Sequence, residues 1–513
     1  MRITNSMIFG NSLNNVHRNM RHINQIVQQI ETTKRFQRPS DDPIMAARAL
    51  RYRNIIEETQ QFYRNVQGGL AWMHVTESAF LNMTTEILQQ MNEILIKGAT
   101  GHLYLDDRLG LVKELQELVD QIALEINQTY MGRHVFSGYR TTQPPVFTSD
   151  NDKSFIITQQ FNARDIERIM SFQKHLNDPT HNSEAHKAIV NTAHVIKLAY
   201  NHVNFDFSVQ DADGNSIDSL LAVPGIRGAY GRNGEPPFHY EIVVRSLMDR
   251  DAYTPPGTGD GSAGDPFIVH FIQETGEIVL CDEAMRTFRD GTTVTFHKEG
   301  FRKGELNPWI YFDVVEITGR DESTNAMISG EIVYQHEDWI VHEISPGEHQ
   351  RINDIAPHVY TDKMYTDLKR LLDFVRSIKI SDRGALEAYF EAPPHELLDQ
   401  ALENAISTQL AYERSQANSV LQDRFSHMIR LMERHSDNVI AEHARLGTRM
   451  SRFEMVEVRL SENEVHMEEL LLVTTGTNPA DAITRKVASE AALQAAMRAI
   501  AMTVQLSLVN FLR

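Results

Sequence analysis

Four groupings in this 513-residue chain have residue types and spacings that could do chemistry. Gly259-x-Gly261-x-x-Gly264 has the letters of a dinucleotide-binding turn. It follows Thr254-Pro255-Pro256 and leads into an apolar run, whereas a phosphate cradle must follow a strand and open a helix, so it reads as a surface loop. His336-Glu337-Asp338 with His342-Glu343 gathers imidazoles and carboxylates, but not in the His-Glu-x-x-His order that puts two ligands on one helix face. His427, His435 and His443 recur every eighth residue; that is too far apart for one tetrahedral site unless a second helix supplies ligands. They read as surface or seam histidines. Cys281 ends an apolar run, Ile278-Val279-Leu280, with no partner motif, and reads as a half-buried small apolar residue. The sequence therefore predicts no catalytic residue, cofactor or metal.

Composition narrows the function classes. A net charge of −19 argues against a broad nucleic-acid face and against anionic membrane surfaces. A lone cysteine rules out a disulfide within the chain. The start, Met1 to Gly10, lacks the roughly 7–15-residue apolar core of a cleaved secretion signal, and no stretch reaches the ~20 apolar residues of a membrane span. The expectation is a soluble protein, cytoplasmic or exported without a cleaved signal. Charge is uneven: residues 1–64 carry net +5, leaving −24 for the remainder. Opposite patches of this kind suit stacking of copies, although solvated helix faces can also carry such a bias.

The elements follow from proline. None lies between Pro43 and Pro144, nor between Pro394 and Pro479, and proline-free runs permit long helices. The middle has turn punctuation such as Asp213-Gly214-Asn215 and Asn233-Gly234. Phe9, Leu13, Val16, Met20, Ile23, Val27 and Ile30 are spaced 4-3-4-3-4-3, the rhythm of a coiled-coil seam. Ile483, Val487, Met497, Val504, Leu508 and Phe511 keep the same rhythm at the other end. Asp42-Pro43 is an N-cap followed by a first-turn proline, opening a helix predicted to run to Lys97-Gly98. A further helix is predicted over about 106–130. A long C-terminal helix has an apolar residue every seventh position from Met432 to Met467. The predicted fold is α+β: a long antiparallel helical coiled-coil rod built from both chain ends, carrying a β-rich middle. The divisions are 1–40 with 478–513, 41–147 with 395–477, and 148–394. Strands are expected at 240–244, 267–272, 276–280, 292–296, 309–315 and 330–334, with helices over 182–200 and 365–380.

Particular residues then resemble a known family. Ser40-Asp41-Asp42-Pro43 before a long helix resembles a turn of the flagellin superfamily, and Asn65 resembles the helix asparagine that follows it. Asn127 and the later Phe136-Ser137-Gly138 resemble the signature of hook–filament junction proteins, the hook-associated protein 3 family. The likeness is strong over about 1–147 and 441–513 and thinner between; His181 and Asn182 match no family motif. It implies a non-enzymatic, extracellular structural protein of the bacterial flagellum, exported through the flagellar type III channel. It also implies a ring of its own copies, contacting hook-associated protein 1 on one face and flagellin on the other, with a cytoplasmic export chaperone beforehand. Flagellin itself, or a ligand-binding or enzymatic β module on a helical stalk, are the alternatives.

Overall fold

The computed structural model describes residues 5–173, 189–210, 224–227, 238–247, 249, 251–257, 259–321, 326–334, 338–391 and 399–511. Of Phe9, Val504, Leu508 and Phe511 it describes the backbone only. The helices at the start are α1 (Asn5–Thr32), α2 (Pro43–Leu81), α3 (Leu88–Gly98) and α4 (Leu105–Ile126). The middle holds the hairpin β1 (Thr129–Tyr130) and β2 (Arg133–His134), then β3 (Asn151–Phe161), β4 (Glu167–Gln173), β5 (Ile189–Lys197), β6 (Val209–Gln210), β7 (Gly225–Arg227), β8 (Tyr240–Arg245), β9 (Phe267–Ile272) and β10 (Glu277–Leu280). After α5 (Asp282–Thr287) come β11 (Thr292–Phe301), α6 (Pro308–Tyr311), β12 (Asp313–Arg320), β13 (Met327–Val333), β14 (Val341–Ser345) and β15 (Glu348–Arg351). The chain finishes with α7 (Ala356–Val359), α8 (Asp362–Ser377), α9 (Arg383–Glu391), α10 (Asp399–Thr475) and α11 (Pro479–Phe511). It divides into two compact units: Met1–Gly69, His342–Gln350 and Ser451–Arg513 form unit 1, and Leu70–Val341 with Arg351–Met450 form unit 2.

In unit 1, α1 packs along α11. The breaks that end α1 and begin α11 are stitched together by backbone. Lys34 and Gly476 form an antiparallel bridge, Arg35 N–H donates to Thr475 O at 2.7 Å, and Thr477 N–H donates to Thr33 O at 2.9 Å. Two helices joined end to start in this way must run antiparallel. Asp42 caps α2 as its sequence predicts: Oδ1 accepts from Met45 N–H at 3.1 Å, and Pro43 occupies the first helical position, where its missing N–H costs nothing. Thr59, Phe62 and Val66 line the buried face of α2, opposite Phe453, Val456 and Leu460 of α10. Gln60 Nε2 donates to Glu464 Oε1 at 2.6 Å along that seam.

In unit 2, the 4-3 spacing of Met73, Thr76, Phe80, Met83, Ile87, Gln90 and Ile94 predicts one inward row along the second helix, and its first four members are buried. Only at Gln90 does it fail: Gln90 is exposed and Met91 fully buried in its place, while Leu88 and Leu95 join the expected Ile87 and Ile94 inside. The cause is a π-helical turn, Asn82–Ile87, whose wider winding uses an extra residue. Gly98 ends α3 for a packing reason, since a Cβ there would lie 2.3 Å from the Phe425 ring. Buried Arg108 ties the α3–α4 turn, donating to Gly98 O, Thr100 O and Asn418 Oδ1, each at 2.9 Å.

Two sheets fill the rest of unit 2, in the orders β4-β5-β10-β9-β8 and β6-β13-β12-β3-β11-β7. Pairing is antiparallel except for β8 with β9 and β13 with β6. Phe155, Tyr200, Phe301 and Trp309 interlock edge-on in the core, with ring centroids 5.4–5.7 Å apart. Two expectations are corrected. The segment 189–197, read as part of a helix, is strand β5; its β-branched residues favour the pleated form, and 182–188 lie outside the described residues. The strand predicted at 309–315 begins as helix α6, because Asn307 Oδ1 caps Trp309 N–H at 3.3 Å and Pro308 sits in its first turn.

Candidate assembly surface

The terminal helices of unit 1 carry apolar residues in two sets. On α1 the least accessible positions are 12, 16, 19, 23, 26 and 30, again a 4-3 rhythm, with Val16 at 5% and Ile26 at 2% exposure. This seam shares Val16, Ile23 and Ile30 with the predicted stripe. Leu13 and Met20 lie outside it and are exposed, and Val27 is half-buried. On α11 the inner positions are Ala482, Lys486, Ser489, Leu493, Ala496 and Ile500, one residue earlier than the predicted stripe. Ile483, Val487 and Met497 therefore face outward, Val487 at 59% and Met497 at 52% exposure.

The rest of unit 1 continues the theme. Ile44 and Leu50 on α2, and Met455, Val458, Val465, Leu472 and Val473 on α10, are exposed as well. Single exposed apolar residues are ordinary on a protein surface; here they recur along α1, α2, α10 and α11 of one unit. The seam that closes the α1–α11 pair is thin, since alanine, serine and lysine occupy much of its α11 side.

The remaining motif residues brace turns. Asp41 Oδ2 accepts from the N–H groups of Gln37 (3.2 Å) and Arg38 (3.0 Å), and exposed Ser40 lies in the same turn. Asn65 holds the β14–β15 hairpin: Nδ2 donates to Glu343 O at 2.9 Å, and His342 Nδ1 donates to Asn65 O at 3.0 Å. Asn127 caps α4 and clamps Val146 from both sides, with Nδ2 donating to Val146 O at 2.9 Å and Oδ1 accepting from Val146 N–H at 3.1 Å. Phe136 is fully buried, edge-on to Phe80 at 5.9 Å; Ser137 Oγ donates to Gln143 O at 2.6 Å. Gly138 takes φ +59° beside Asp338, which lies 2.7 Å from where a Cβ would stand.

The other chemical candidates are absorbed by structure. His427 Nε2 lies 3.4 Å from Glu167, His435 Nε2 hydrogen-bonds Asp367 at 2.8 Å, and His443 stacks on Phe80 at 5.6 Å, so the three go to separate partners. Cys281 is buried and caps α5, and burial pushes its thiol up, away from the reactive thiolate. The Gly259 loop opens no helix; Gly259 and Gly261 take positive φ in a turn closed by a Ser262–Asp265 bridge. His336 and Glu337 lie outside the described residues. Among the described residues, no three His, Cys, Asp or Glu side chains gather as a metal site, and no helix is long and apolar enough to cross a membrane. A cavity of about 760 Å³ in unit 2 has a polar lining, in which Lys369 pairs with Glu305 at 3.4 Å and Lys298 donates to Asn201 O at 3.2 Å.

One feature of unit 2 was not foreseen from the sequence. Glu167 (β4), Lys197 (β5), Glu277 (β10), Arg370 (α8) and Arg424 (α10) form a buried ionic cluster. Burial works to raise the Glu167 carboxyl, but Arg370, His427 and Arg424 overrule it and hold it down at about 2. Burial pulls the Lys197 ammonium down to about 8 against the attraction of Asp373 and Glu277.

Residues 3–141 match the bacterial flagellin N-terminal helical region. Flagellar hook-associated protein 3 of Salmonella typhimurium is 30% identical over 151 residues, which is 28% of this chain and 46% of that protein. Flagellar hook-associated protein 3 of Escherichia coli is 30% identical over 159 residues, 30% of this chain and 48% of that protein. The chain thus spans about half the length of the curated relatives it matches. Among solved structures, flagellar hook-associated protein 3 from Legionella pneumophila aligns with 82% of this chain and 97% of its own, at 10% identity and a TM-score of 0.30.

Proposed function

We propose that this chain is a structural subunit of the bacterial flagellum at the junction between hook and filament, and that it acts by packing its terminal helices against neighbours. The observation that carries this reading is the outward stripe of unit 1: Leu13 and Met20 on α1, and Ile483, Val487 and Met497 on α11, are exposed among the described residues. The sequence similarity to hook-associated protein 3 supplies the setting. In this account Phe9, Val27, Val504, Leu508 and Phe511 extend the stripe, and copies assemble as a ring through coiled-coil contacts. One face of the ring meets hook-associated protein 1 and the other meets flagellin.

The physics of assembly follows from the thin inner seam. An isolated helix pair is marginal, so α1 and α11 gain most of their order when neighbours bury the outer stripe. Ordering delayed until assembly keeps the exported chain from polymerising early, and a cytoplasmic chaperone covers the C-terminal helix meanwhile. The reading is non-enzymatic. Cells lacking this chain are expected to build hooks but to release unpolymerised flagellin into the medium. Normal filaments on such cells would refute the reading, and purified chain that polymerises into long filaments would identify a flagellin instead.

A further inference from the structure

The ionic cluster of unit 2 has more donors than acceptors. The Lys197 Nζ is buried without a hydrogen-bond partner; its nearest carboxylate oxygen, on Asp373, is 3.6 Å away. Arg370 Nε lies 3.2 Å from Glu277 but out of line for a hydrogen bond, and Arg424 Nε and Nη2 are likewise buried without acceptors. Buried N–H groups left in this state cost free energy, more so when charged, and such a surplus calls for an acceptor.

A cavity of about 100 Å³ is lined by Lys197 and Arg370 of this cluster, though not by Arg424. A single buried water needs only about 10–15 Å³ of such space, so there is room for more than one water. Arg164, Lys197, Lys363, Arg370 and Arg434 line it together with the carboxylates of Asp165, Glu167, Asp362 and Asp367. Of the lining carboxylates, Asp165 is paired with Lys363, Glu167 with Arg370 and Asp367 with His435. Asp362 accepts from Gln159 at 3.1 Å, and burial raises its carboxyl towards the protonated form. Lys197, inside, has the Asp373 carboxylate at 3.6 Å but no hydrogen bond, and Arg164 and Arg434, both exposed, have no acidic partner among the described residues. Three cations lining one small space, two of them planar forks, are the donor set that a tetrahedral oxyanion takes.

We propose that this cavity, enclosed by β4, β5, α8 and α10, is a binding site for a small oxyanion of the phosphate or sulfate type, held by Lys197 from within and by Arg164 and Arg434 at the mouth. The anion supplies the acceptor that the Lys197 ammonium lacks and links β5 to α10.

The test is calorimetric titration of the full chain with inorganic phosphate and, separately, sulfate, at constant ionic strength set with sodium chloride. Saturable binding of at least one is expected. Lys197→Met is expected to weaken it by about tenfold or more, the worth of a charged hydrogen bond. Because Lys197→Met can also disturb folding, the paired rim variant Arg164→Gln/Arg434→Gln is the second arm; both side chains are exposed, so the fold stays intact while affinity falls about tenfold. Titration with O-phosphoserine separates two sources: binding as tight as phosphate points to an ester carried by another molecule, and much weaker binding points to the free ion. Heat that never saturates and is the same in the rim variant would be a general salt effect and would overturn the proposal. So would the absence of heat for both anions.

Discussion

Asn127→Ala removes a clamp whose cost can be worked from its geometry. The Asn127 amide makes two hydrogen bonds to the backbone of Val146, a residue only 1% exposed, at 2.9 and 3.1 Å. Alanine leaves both backbone groups without those partners in a place water reaches poorly. A buried group left unsatisfied costs about 1–3 kcal/mol, so two cost roughly 2–6 kcal/mol, and partial hydration brings the expected loss to roughly 2–4 kcal/mol. The assay is urea unfolding of the full chain followed by near-ultraviolet circular dichroism, where Trp309, buried in unit 2, reports. Gln121→Ala, at an exposed position of the same helix, serves as control and should stay within about 0.5 kcal/mol. A loss below about 0.5 kcal/mol for Asn127→Ala would refute the reasoning, because backbone groups so easily rehydrated cannot have been clamped.

Further outcomes follow from the same geometry. Gly138→Ala should destabilise unit 2 by about 1–3 kcal/mol, since it forces an alanine to φ +59° with its Cβ 2.7 Å from Asp338; thermal denaturation measures it. Glu167 has a folded pKa of about 2 against an ordinary 4.5, so its contribution is complete above about 4.5 and is lost as pH falls through about 2. The gap corresponds to at most about 3 kcal/mol, and Glu167→Gln should flatten that part of the stability–pH curve. Val27→Asp or Val487→Asp should leave the chain soluble and abolish swimming; unimpaired motility with both changes would count against the outward stripe. Hydrogen exchange on the free chain should give weak protection in α1 and α11 and strong protection along 427–460 of α10.

Much of this architecture is legible from residue spacing. The every-seventh series is buried from Met432 through Val439, Leu446, Phe453 and Leu460 and half-buried at Met467, and polar residues beside it find partners, His435 at Asp367 and Arg449 at Asp354. Spacing fails where an apolar residue is not an inward one. On α11 the rule that apolar means buried selects Ile483 and Val487, whereas the seam takes Lys486 and Ser489, because a long aliphatic stem can cover a neighbour while its charge reaches water. The π turn after Leu81 leaves no mark in the apolar pattern, so the register error at Gln90 could not be seen. Asn307-Pro308, by contrast, is a readable helix start, and the strand reading of 309–315 overlooked it. The ionic cluster draws on residues from Glu167 to Arg424; each taken alone looks like a solvated charge, and only the tertiary fold brings them together. The oxyanion site is illegible in sequence for the same reason.

The most direct test of the central claim, that the outward stripe meets neighbouring copies, is maleimide labelling of a Val487→Cys chain. The native Cys281 is 4% exposed and gives little background, while position 487 is 59% exposed in the free chain. The account predicts rapid labelling of the free chain and at least about tenfold slower labelling in intact flagella, in line with burial against another subunit. Equal rates in the two states would contradict it.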